Sequence, residues 1–116
     1  MLLKRISKLG EYWQPITGGL EEGETKMEAL NREIKEETGI ENLVRIIEGV
    51  HYFELATPLH LKEYVYGVEV LPIEKIVLSW EHSEFKWYSF LEALGMLKWE
   101  ENKEALRRLN KILTDY

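Results

Sequence analysis

Apolar residues recur every three or four positions between residues 25 and 39, a spacing that predicts an amphipathic helix. Three of them share one stripe: Met27, Leu30 and Ile34. Thr25 or Glu24 is placed to cap the start of this helix, and Gly39 stands where a left-handed residue would end it. The pattern therefore gives the helix defined ends as well as a buried face.

Strand patterns lie on both sides of this helix. Residues 1–6 (MLLKRI) predict a short strand, and residues 12–16 (YWQPI) predict an extended segment. Residues 43–56 (LVRIIEGVHYFELA) are rich in β-branched and aromatic types, which predicts a strand pair or one long strand bent at Gly49.

The next run, residues 64–71 (YVYGVEVL), alternates in the manner of a half-buried strand. The alternation puts Tyr64 and Tyr66 on one face of this strand, and we expect Glu63 and Glu69 to face solvent.

Two helices are predicted at the C-terminal end. Ser89 is placed to cap a short helix through Leu97. Residues 100–113 predict a longer helix with an apolar side formed by Leu106, Leu109 and Leu113.

The composition is that of one globular domain. A chain of 116 residues with 45% hydrophobic content fits a single domain over residues 1–116, and a chain of this length buries roughly two-thirds of its unfolded surface. There are no cysteines, which excludes disulfides and thiolate metal sites. No apolar run approaches the roughly 18 residues of a membrane span, and the N-terminus lacks a signal-peptide pattern. We therefore expect a cytoplasmic protein without a membrane partner.

The charge limits the class of partner further. A formal net charge of −6 argues against a nucleic-acid polymer, because such binding draws its affinity from Lys and Arg on phosphate. A small anionic substrate remains compatible with this charge, since bound metal ions can reverse the local sign of an acidic pocket.

The polar face of the first predicted helix brings three acids together: Glu33, Glu36 and Glu37. Like charges at this spacing each cost roughly 0.2–0.5 kcal/mol, and acids in the last turn face the negative end of the helix dipole. A hard divalent cation removes both costs, because the carboxylates become its ligands. The alternative is an ordinary solvated acidic face.

The residues around these acids occur at fixed distances. Gly18 is followed after five residues by Glu24 and, after seven more, by the run REIKEETGI at 32–40. This spacing matches every defined position of the Nudix box, G-x5-E-x7-R-E-U-x-E-E-x-G-U, in which U is a bulky aliphatic residue. The chain therefore resembles the Nudix hydrolases, with strict agreement over residues 18–40. The resemblance implies an α/β (α+β) fold in which a mixed β-sheet is sandwiched between helices.

The resemblance also implies a metal site. Glu33, Glu36 and Glu37 would hold one to three Mg²⁺ or Mn²⁺ ions against a substrate diphosphate. Glu24 and Arg32 would support them, since the rigid fork of an Arg can brace a carboxylate.

The start of the box would complete the site through its backbone. In the family, the carbonyl just before the motif glycine joins the metal ligands, and here that carbonyl belongs to Thr17. Gly18 and Gly19 would let the backbone approach the phosphates.

Two further residues are candidates for substrate binding. Arg5 lies at the end of the first strand, where family members often carry a phosphate-contacting Arg, and its alternative is a surface charge on an edge strand. Trp13 is a candidate for base stacking, against the alternative of core or pocket wall.

Residues 78–88 (LSWEHSEFKWY) resemble a Nudix pattern in which an acid followed by His precedes a strand. In the family that acid often adds a carboxylate to the metal site. By position it is Glu81, with Glu84 as the fallback, and the alternative is a loop Glu with no partner. The general base that takes a proton from water is Glu81 or one of the box glutamates.

The N-terminal end departs from the family pattern. Nudix proteins usually begin with another apolar strand, central in the sheet, and this chain starts where the second strand is expected. Either the start is truncated or the sheet is completed differently. Because a missing inner strand would leave unpaired backbone groups in its neighbours, a second copy of the chain could supply the pairing, which makes a homodimer an expectation to test.

The activity implied is metal-dependent hydrolysis of a phosphoanhydride bond in a nucleoside diphosphate linked to another group, X. The segment WQPITGG and parts of the C-terminal half resemble the subgroup of dihydroneopterin triphosphate and deoxynucleoside triphosphate pyrophosphohydrolases. A nucleoside triphosphate-type substrate is therefore favoured. The alternatives are a diadenosine polyphosphate hydrolase and a nucleotide-binding Nudix domain without catalysis.

Overall fold

The computed structural model describes residues 1–5, 12–16, 21–55, 62–72 and 75–115. Its elements follow in the order β1 (Leu2–Arg5), β2 (Trp13–Gln14), α1 (Lys26–Thr38), β3 (Arg45–Glu54), β4 (Lys62–Glu69), β5 (His82–Lys86), α2 (Phe90–Met96) and α3 (Glu100–Thr114). This order confirms the predicted α+β class. No helix in these described ranges is long and apolar enough to cross a membrane.

The ends of α1 are set by the capping residues that the sequence indicated. The Thr25 side chain accepts a hydrogen bond from the backbone N–H of Glu28, and the Glu28 side chain accepts one from the backbone N–H of Thr25. At the other end Gly39 has φ of 76°, and its N–H donates to the carbonyl of Lys35 at 2.8 Å. The helix therefore begins after Thr25, not after Glu24, and ends before Gly39.

The C-terminal end of α1 is tied to the segment that leads to β5. The N–H of Val77 donates to the carbonyl of Thr38 at 2.8 Å. A Cβ atom at Gly39 would lie only 3.3 Å from the Cβ of Val77. Glycine thus permits both the left-handed cap and the close approach of this segment.

The described strands form two antiparallel sheets, where one mixed sheet was predicted. The first sheet has the order β2–β1–β5, and the second is the β3–β4 pair. Because β1 pairs on both edges, it is a central strand, and its Leu2 and Leu3 are both buried. Among the described residues, the isolated bridge between Trp13 and Leu97 is parallel.

The second sheet has one bent strand, as one of the two alternatives predicted. Gly49 in β3 has φ of 68°, and the pairing register with β4 shifts between Ile47 and His51. The glycine therefore produces a bulge that bends β3 without ending it.

The face of β4 that carries Glu63 and Gly67 is covered by α3. Helix α3 packs over Gly67, where a Cβ atom would lie 2.5 Å from a methyl group of Leu109. Glu63 lies on this face, is half-buried, and has its pKa raised by burial. The expectation that Glu63 faces solvent is therefore wrong, whereas Glu69 is exposed as expected. Tyr64 lies on the outer face against Tyr52, with ring centroids 4.9 Å apart.

The C-terminal helices close the core over both sheets. Ser89 caps α2 through a reciprocal pair of hydrogen bonds with Glu92. Leu2, Ala93 and Leu97 form the buried cluster beneath α2, and three half-buried residues pack against it: Trp13, Tyr88 and Leu106. The predicted helices at 89–97 and 100–113 are thus confirmed.

Candidate active site

A cavity of about 590 Å³ opens at the acidic face of α1. Five carboxylates line it, and four of them are the acids that the sequence selected: Glu33, Glu36, Glu37 and Glu81. The first three come from α1, and the fourth comes from the loop before β5. The structure therefore brings the three box acids together with the loop acid that the sequence selected. Six other described residues line the cavity: Arg5, Gln14, Glu21, Arg32, Ser79 and Trp80.

Arg32 organises one side of this cavity. Its guanidinium makes a bidentate contact with Glu24, with Nε to Oε2 at 2.6 Å and Nη2 to Oε1 at 3.0 Å. Its Nη1 donates to Glu33 Oε1 at 2.7 Å and lies 3.3 Å from Glu36 Oε2. The hydrogen bonds from Arg32 hold the pKa of Glu24 below its usual range, and the same contacts raise the pKa of Arg32. Glu24 therefore fixes a guanidinium that in turn orients Glu33.

The three box acids have different environments. The side chain of Glu36 is 56% exposed, whereas that of Glu37 is only 10% exposed. Burial, followed by repulsion from Glu33, Glu81 and Glu36, raises the pKa of Glu37 to about 7. Arg5 partly offsets this rise. Among these three acids, Glu37 is therefore the one whose charged form a nearby cation would stabilise most.

The side chains fit a divalent cation in chemistry but are not arranged around one. Within the described ranges, no group of three or more Asp, Glu or His side chains could hold a metal ion as it stands. Glu33 and Glu36 are turned towards Arg32, and the buried Oε2 of Glu37 lacks a hydrogen-bond partner. Carboxylate oxygens are the ligands that Mg²⁺ and Mn²⁺ prefer, and a cation would relieve the repulsion at Glu37. We conclude that the donor set fits Mg²⁺ or Mn²⁺.

Gln14 and His82 are polar residues of this site to which sequence reasoning gave no role. His82 is buried, with Nε2 3.0 Å from Gln14 Nε2 and Nδ1 3.5 Å from Glu37 Oε2. Burial lowers the pKa of His82, against an opposing effect of Glu81. A signal was present for both, because Gln14 belongs to the WQPITGG segment and His82 follows the loop acid.

The remaining candidates are distributed as follows. Arg5 lines the cavity, and its Nη1 donates to the hydroxyl of Tyr12 at 3.0 Å. Trp13 is absent from the described lining and packs edge-on against Tyr88 with centroids 5.6 Å apart. Glu84 lies 3.5 Å from Lys4 on the first sheet and is likewise absent from the described lining. Three backbone candidates lie outside the described residues: Thr17, Gly18 and Gly19.

The Arg32 geometry leads to a first prediction. Arg32→Lys should weaken Mn²⁺ binding by about tenfold or more, because a Lys cannot hold Glu24 bidentately and also orient Glu33. Calorimetric titration with Mn²⁺ measures the change. Arg107→Lys is the control, since Arg107 makes similar contacts with Glu100 and Glu104 on α3. Equal Mn²⁺ affinity of Arg32→Lys and the unmodified protein would contradict this role.

The raised pKa of Glu37 leads to a second prediction, for the metal-free protein. Between the ordinary pKa of 4.5 and the folded value of about 7, the folded state binds more protons at Glu37 than the unfolded state does. The free energy of unfolding therefore falls as pH rises through this window, by roughly 3 kcal/mol from this group. Above pH of about 7 the loss is complete.

Urea unfolding in EDTA at several pH values measures this loss. Glu37→Gln removes the titrating group, so the difference in unfolding free energy between the two proteins isolates the contribution of Glu37. A difference that stays constant from pH 4.5 to 7 would contradict the prediction.

Comparisons with known proteins agree on one family. The chain matches the family model of the NUDIX domain over residues 1–109. It is 31% identical over 111 residues to the dihydroneopterin triphosphate diphosphatase of Escherichia coli (strain K12), which covers 84% of the chain and 74% of that protein. It is 32% identical over 117 residues to the asymmetrical bis(5'-nucleosyl)-tetraphosphatase of Mus musculus, with 97% and 79% covered.

One further relative is much longer than the chain. An octanoyltransferase of Myxococcus xanthus is 32% identical over 93% of the chain, and the match spans only 31% of that protein. Among solved structures, a candidate NUDIX hydrolase from Listeria monocytogenes superposes with a TM-score of 0.84 at 28% identity. That superposition covers 98% of the chain and 82% of the Listeria protein's chain.

Proposed function

Because this chain belongs to the Nudix family of hydrolases, which act on acid anhydrides, we propose that it cleaves a phosphoanhydride bond in a nucleoside diphosphate linked to another group, X. We favour a nucleoside triphosphate as the substrate, with a nucleoside monophosphate and pyrophosphate as products. The name of the E. coli relative states a triphosphate substrate, which supports this choice. The chain's own WQPITGG segment supports it as well.

The observation that carries the proposal is the convergence of the three acids of α1 and Glu81 on one cavity, where Arg32 holds Glu33. An acidic face that served only for solubility would not need one of its acids to be buried at the cost of a raised pKa. The burial of Glu37 therefore favours a site that binds a cation over a solvated surface.

The metal-binding role is assigned to the carboxylates. Glu33, Glu36 and Glu37 would hold Mg²⁺ or Mn²⁺, with the carbonyl of Thr17 and the carboxylate of Glu81 as further ligands. When bound, such a cation supplies positive charge that screens the diphosphate from the carboxylates and makes water more acidic.

The other residues bind and orient the reactants. Arg5 would contact a phosphate, because it lines the cavity and carries the opposite charge to the substrate. Gly18 and Gly19 would let backbone N–H groups approach the phosphates. Arg32 keeps Glu33 in one orientation while the substrate binds.

Glu81 is assigned the proton transfer, because it enters the cavity from a segment separate from α1. The oxygen of a water molecule bonds to phosphorus, the bond between that phosphorus and the bridging oxygen breaks, and the leaving phosphate keeps the bridging oxygen. The proton of the attacking water passes to Glu81. A box glutamate is the alternative base.

A second substrate class is favoured by one specific comparison. The mouse relative is named for a bis(5'-nucleosyl) tetraphosphate, so a diadenosine polyphosphate is the main alternative. A nucleotide-binding domain without turnover is the remaining alternative.

One experiment separates these possibilities. The purified chain is incubated with Mg²⁺ and a panel of nucleoside triphosphates and dinucleoside polyphosphates, and the products are identified by chromatography. Nucleoside monophosphate and pyrophosphate from a triphosphate support the proposal. Cleavage of the dinucleotides alone supports the alternative substrate, and nucleotide binding without any product supports the non-catalytic domain.

The oligomeric state belongs to the same proposal. In the described residues β3 and β4 pair only with each other, and a two-stranded sheet is marginally stable unless other elements or strands support it. We expect a homodimer in which a second copy covers such an edge. Sedimentation at micromolar concentration tests this, and a monomer would contradict it.

A further inference from the structure

Three buried side chains of the site lie in a row: Gln14, His82 and Glu37. Gln14 on β2 contacts His82 at the start of β5, and His82 contacts Glu37 on α1. The side chain of His82 is 1% exposed and that of Glu37 is 10% exposed. These residues come from three different elements, so their contact depends on the tertiary fold and not on local sequence.

The donors and acceptors in this chain define one arrangement. The amide nitrogen of Gln14 lies 3.0 Å from His82 Nε2, and an amide nitrogen can only donate. Nε2 must therefore accept, which puts the ring proton of a neutral His82 on Nδ1. Nδ1 lies 3.5 Å from Glu37 Oε2, so its N–H faces the carboxylate.

The reversed arrangement is unfavourable for a physical reason. If the amide oxygen of Gln14 faced Nε2, the ring proton would sit on Nε2 and a lone pair on Nδ1 would face Glu37. When Glu37 is ionised, as it must be to bind a cation, two buried acceptors would then oppose each other, and both Nδ1 of His82 and Oε2 of Glu37 lack other hydrogen-bond partners. Buried polar atoms without partners are costly, so the arrangement with the proton on Nδ1 is preferred.

We propose that Gln14 and His82 are positioning residues for Glu37: Gln14 holds His82 in the tautomer whose Nδ1–H donates to Glu37 Oε2 and so fixes the carboxylate for a divalent cation. This rests on the proposed function. The separation of 3.5 Å is long for such a bond, and hydrogen bonds of this kind shorten when a site is loaded.

The inference gives the box acids two separate supports. Arg32 orients Glu33 and contacts Glu36, whereas Nδ1 of His82 lies 3.5 Å from Oε2 of Glu37. Carboxylate ligands of metals are themselves commonly hydrogen-bonded, and loss of such partners typically weakens metal binding. Removal of either support should therefore weaken binding while the four carboxylates remain.

The tautomer is tested first, on the metal-free full-length chain. Nitrogen-15 spectra of the imidazole rings report which ring nitrogen carries a proton, and the chain has three His residues. The signals of His82 are those that disappear in His82→Asn. A proton on Nδ1 with an unprotonated Nε2 supports the proposal. A neutral ring with its proton on Nε2 overturns it.

The link to the cation is tested by Mn²⁺ titration of the unmodified protein and two variants. His82→Asn keeps an amide donor near the position of Nδ1, whereas His82→Leu removes it. We expect His82→Asn to bind Mn²⁺ within about threefold of the unmodified protein and His82→Leu to bind about tenfold more weakly. Equal affinities for the unmodified protein and His82→Leu would overturn the proposal, as would equal weakening in Asn and Leu.

Gln14→Met gives an independent test that leaves the buried ring in place. It removes the donor to Nε2, so His82 should populate both neutral tautomers and Mn²⁺ binding should weaken about threefold to tenfold. Thermal unfolding in EDTA shows that each variant is folded. A His82 ring that stays on the Nδ1–H tautomer, with unchanged Mn²⁺ affinity, would overturn the role of Gln14.

These measurements use no substrate, so they are separable from the proposed function. A chain with the expected tautomer and Mn²⁺ response but no turnover of any nucleotide would contradict only the proposed function. A chain that hydrolyses nucleotides while its His82 carries the proton on Nε2 would contradict only this inference.

Discussion

Glu37→Gln is expected to lower kcat by on the order of 10³ while leaving the fold intact. Glutamine has the same shape as glutamate but no charge, so it cannot neutralise a cation. Because Glu37 is buried, solvent cannot replace the lost carboxylate. Steady-state hydrolysis of a nucleoside triphosphate with Mg²⁺ measures the loss, and circular dichroism confirms the fold.

The matched control for this variant is Glu41→Gln. Glu41 lies just past the end of α1, where it is 3.3 Å from Lys35 and exposed. It should retain normal turnover, because it lies outside the residues that line the cavity. Near-normal activity of Glu37→Gln would remove the box acids from the mechanism.

Glu81→Gln carries the second large expected effect, a fall in kcat of about 10²–10⁴ if Glu81 is the base. A carboxamide cannot take the proton of the attacking water, so the variant lacks the base. Hydrolysis of a nucleoside triphosphate with Mg²⁺, followed over time, measures the change in kcat.

The control for Glu81 is Glu84, which is three residues further along and pairs with Lys4 outside the described cavity lining. Glu84→Gln should leave kcat unchanged. Titration of Glu81→Gln with Mn²⁺ separates the two roles proposed for Glu81, because weaker Mn²⁺ binding indicates a ligand and a low kcat with unchanged Mn²⁺ binding indicates a base alone. A normal kcat in Glu81→Gln would assign the proton transfer to a box glutamate.

Local signals predicted the helices and the bend in the second sheet. Thr25 and Gly39 mark the ends of α1 because capping depends on residues within one turn of the helix end. Gly49 marks the bulge in β3 for a similar reason, since glycine adopts a positive φ without the steric strain that a Cβ atom causes. These features need no information from distant parts of the chain.

The sequence did not predict how differently the three acids of α1 are buried. Residues 36 and 37 are neighbours on the helix, yet the 100° step between them exposes Glu36 and buries Glu37. Which of the two faces inward depends on the loop before β5, which packs there only in the folded chain.

Long-range packing also explains the other differences. Gln14 and His82 are 68 residues apart, so their hydrogen bond could not be inferred from spacing. The expectation that Glu63 faces solvent rested on alternation alone, and alternation does not state which side of a strand is covered. It is the contact of Leu109 with Gly67 that puts α3 on the face of Glu63.

The hydrogen bond between Val77 and Thr38 gives Gly39 a role beyond that of a helix terminator. The bond ties Val77, four residues before Glu81, to the C-terminal end of α1. It therefore limits how far Glu81 can move from the acids of α1. A larger residue at 39 would press on Val77, whose Cβ lies 3.3 Å from the added atom, and would shift the segment that leads to Glu81. In a random mutagenesis screen, we expect a substitution at Gly39 to lower activity as the loss of a site carboxylate would, although all the carboxylates are still present.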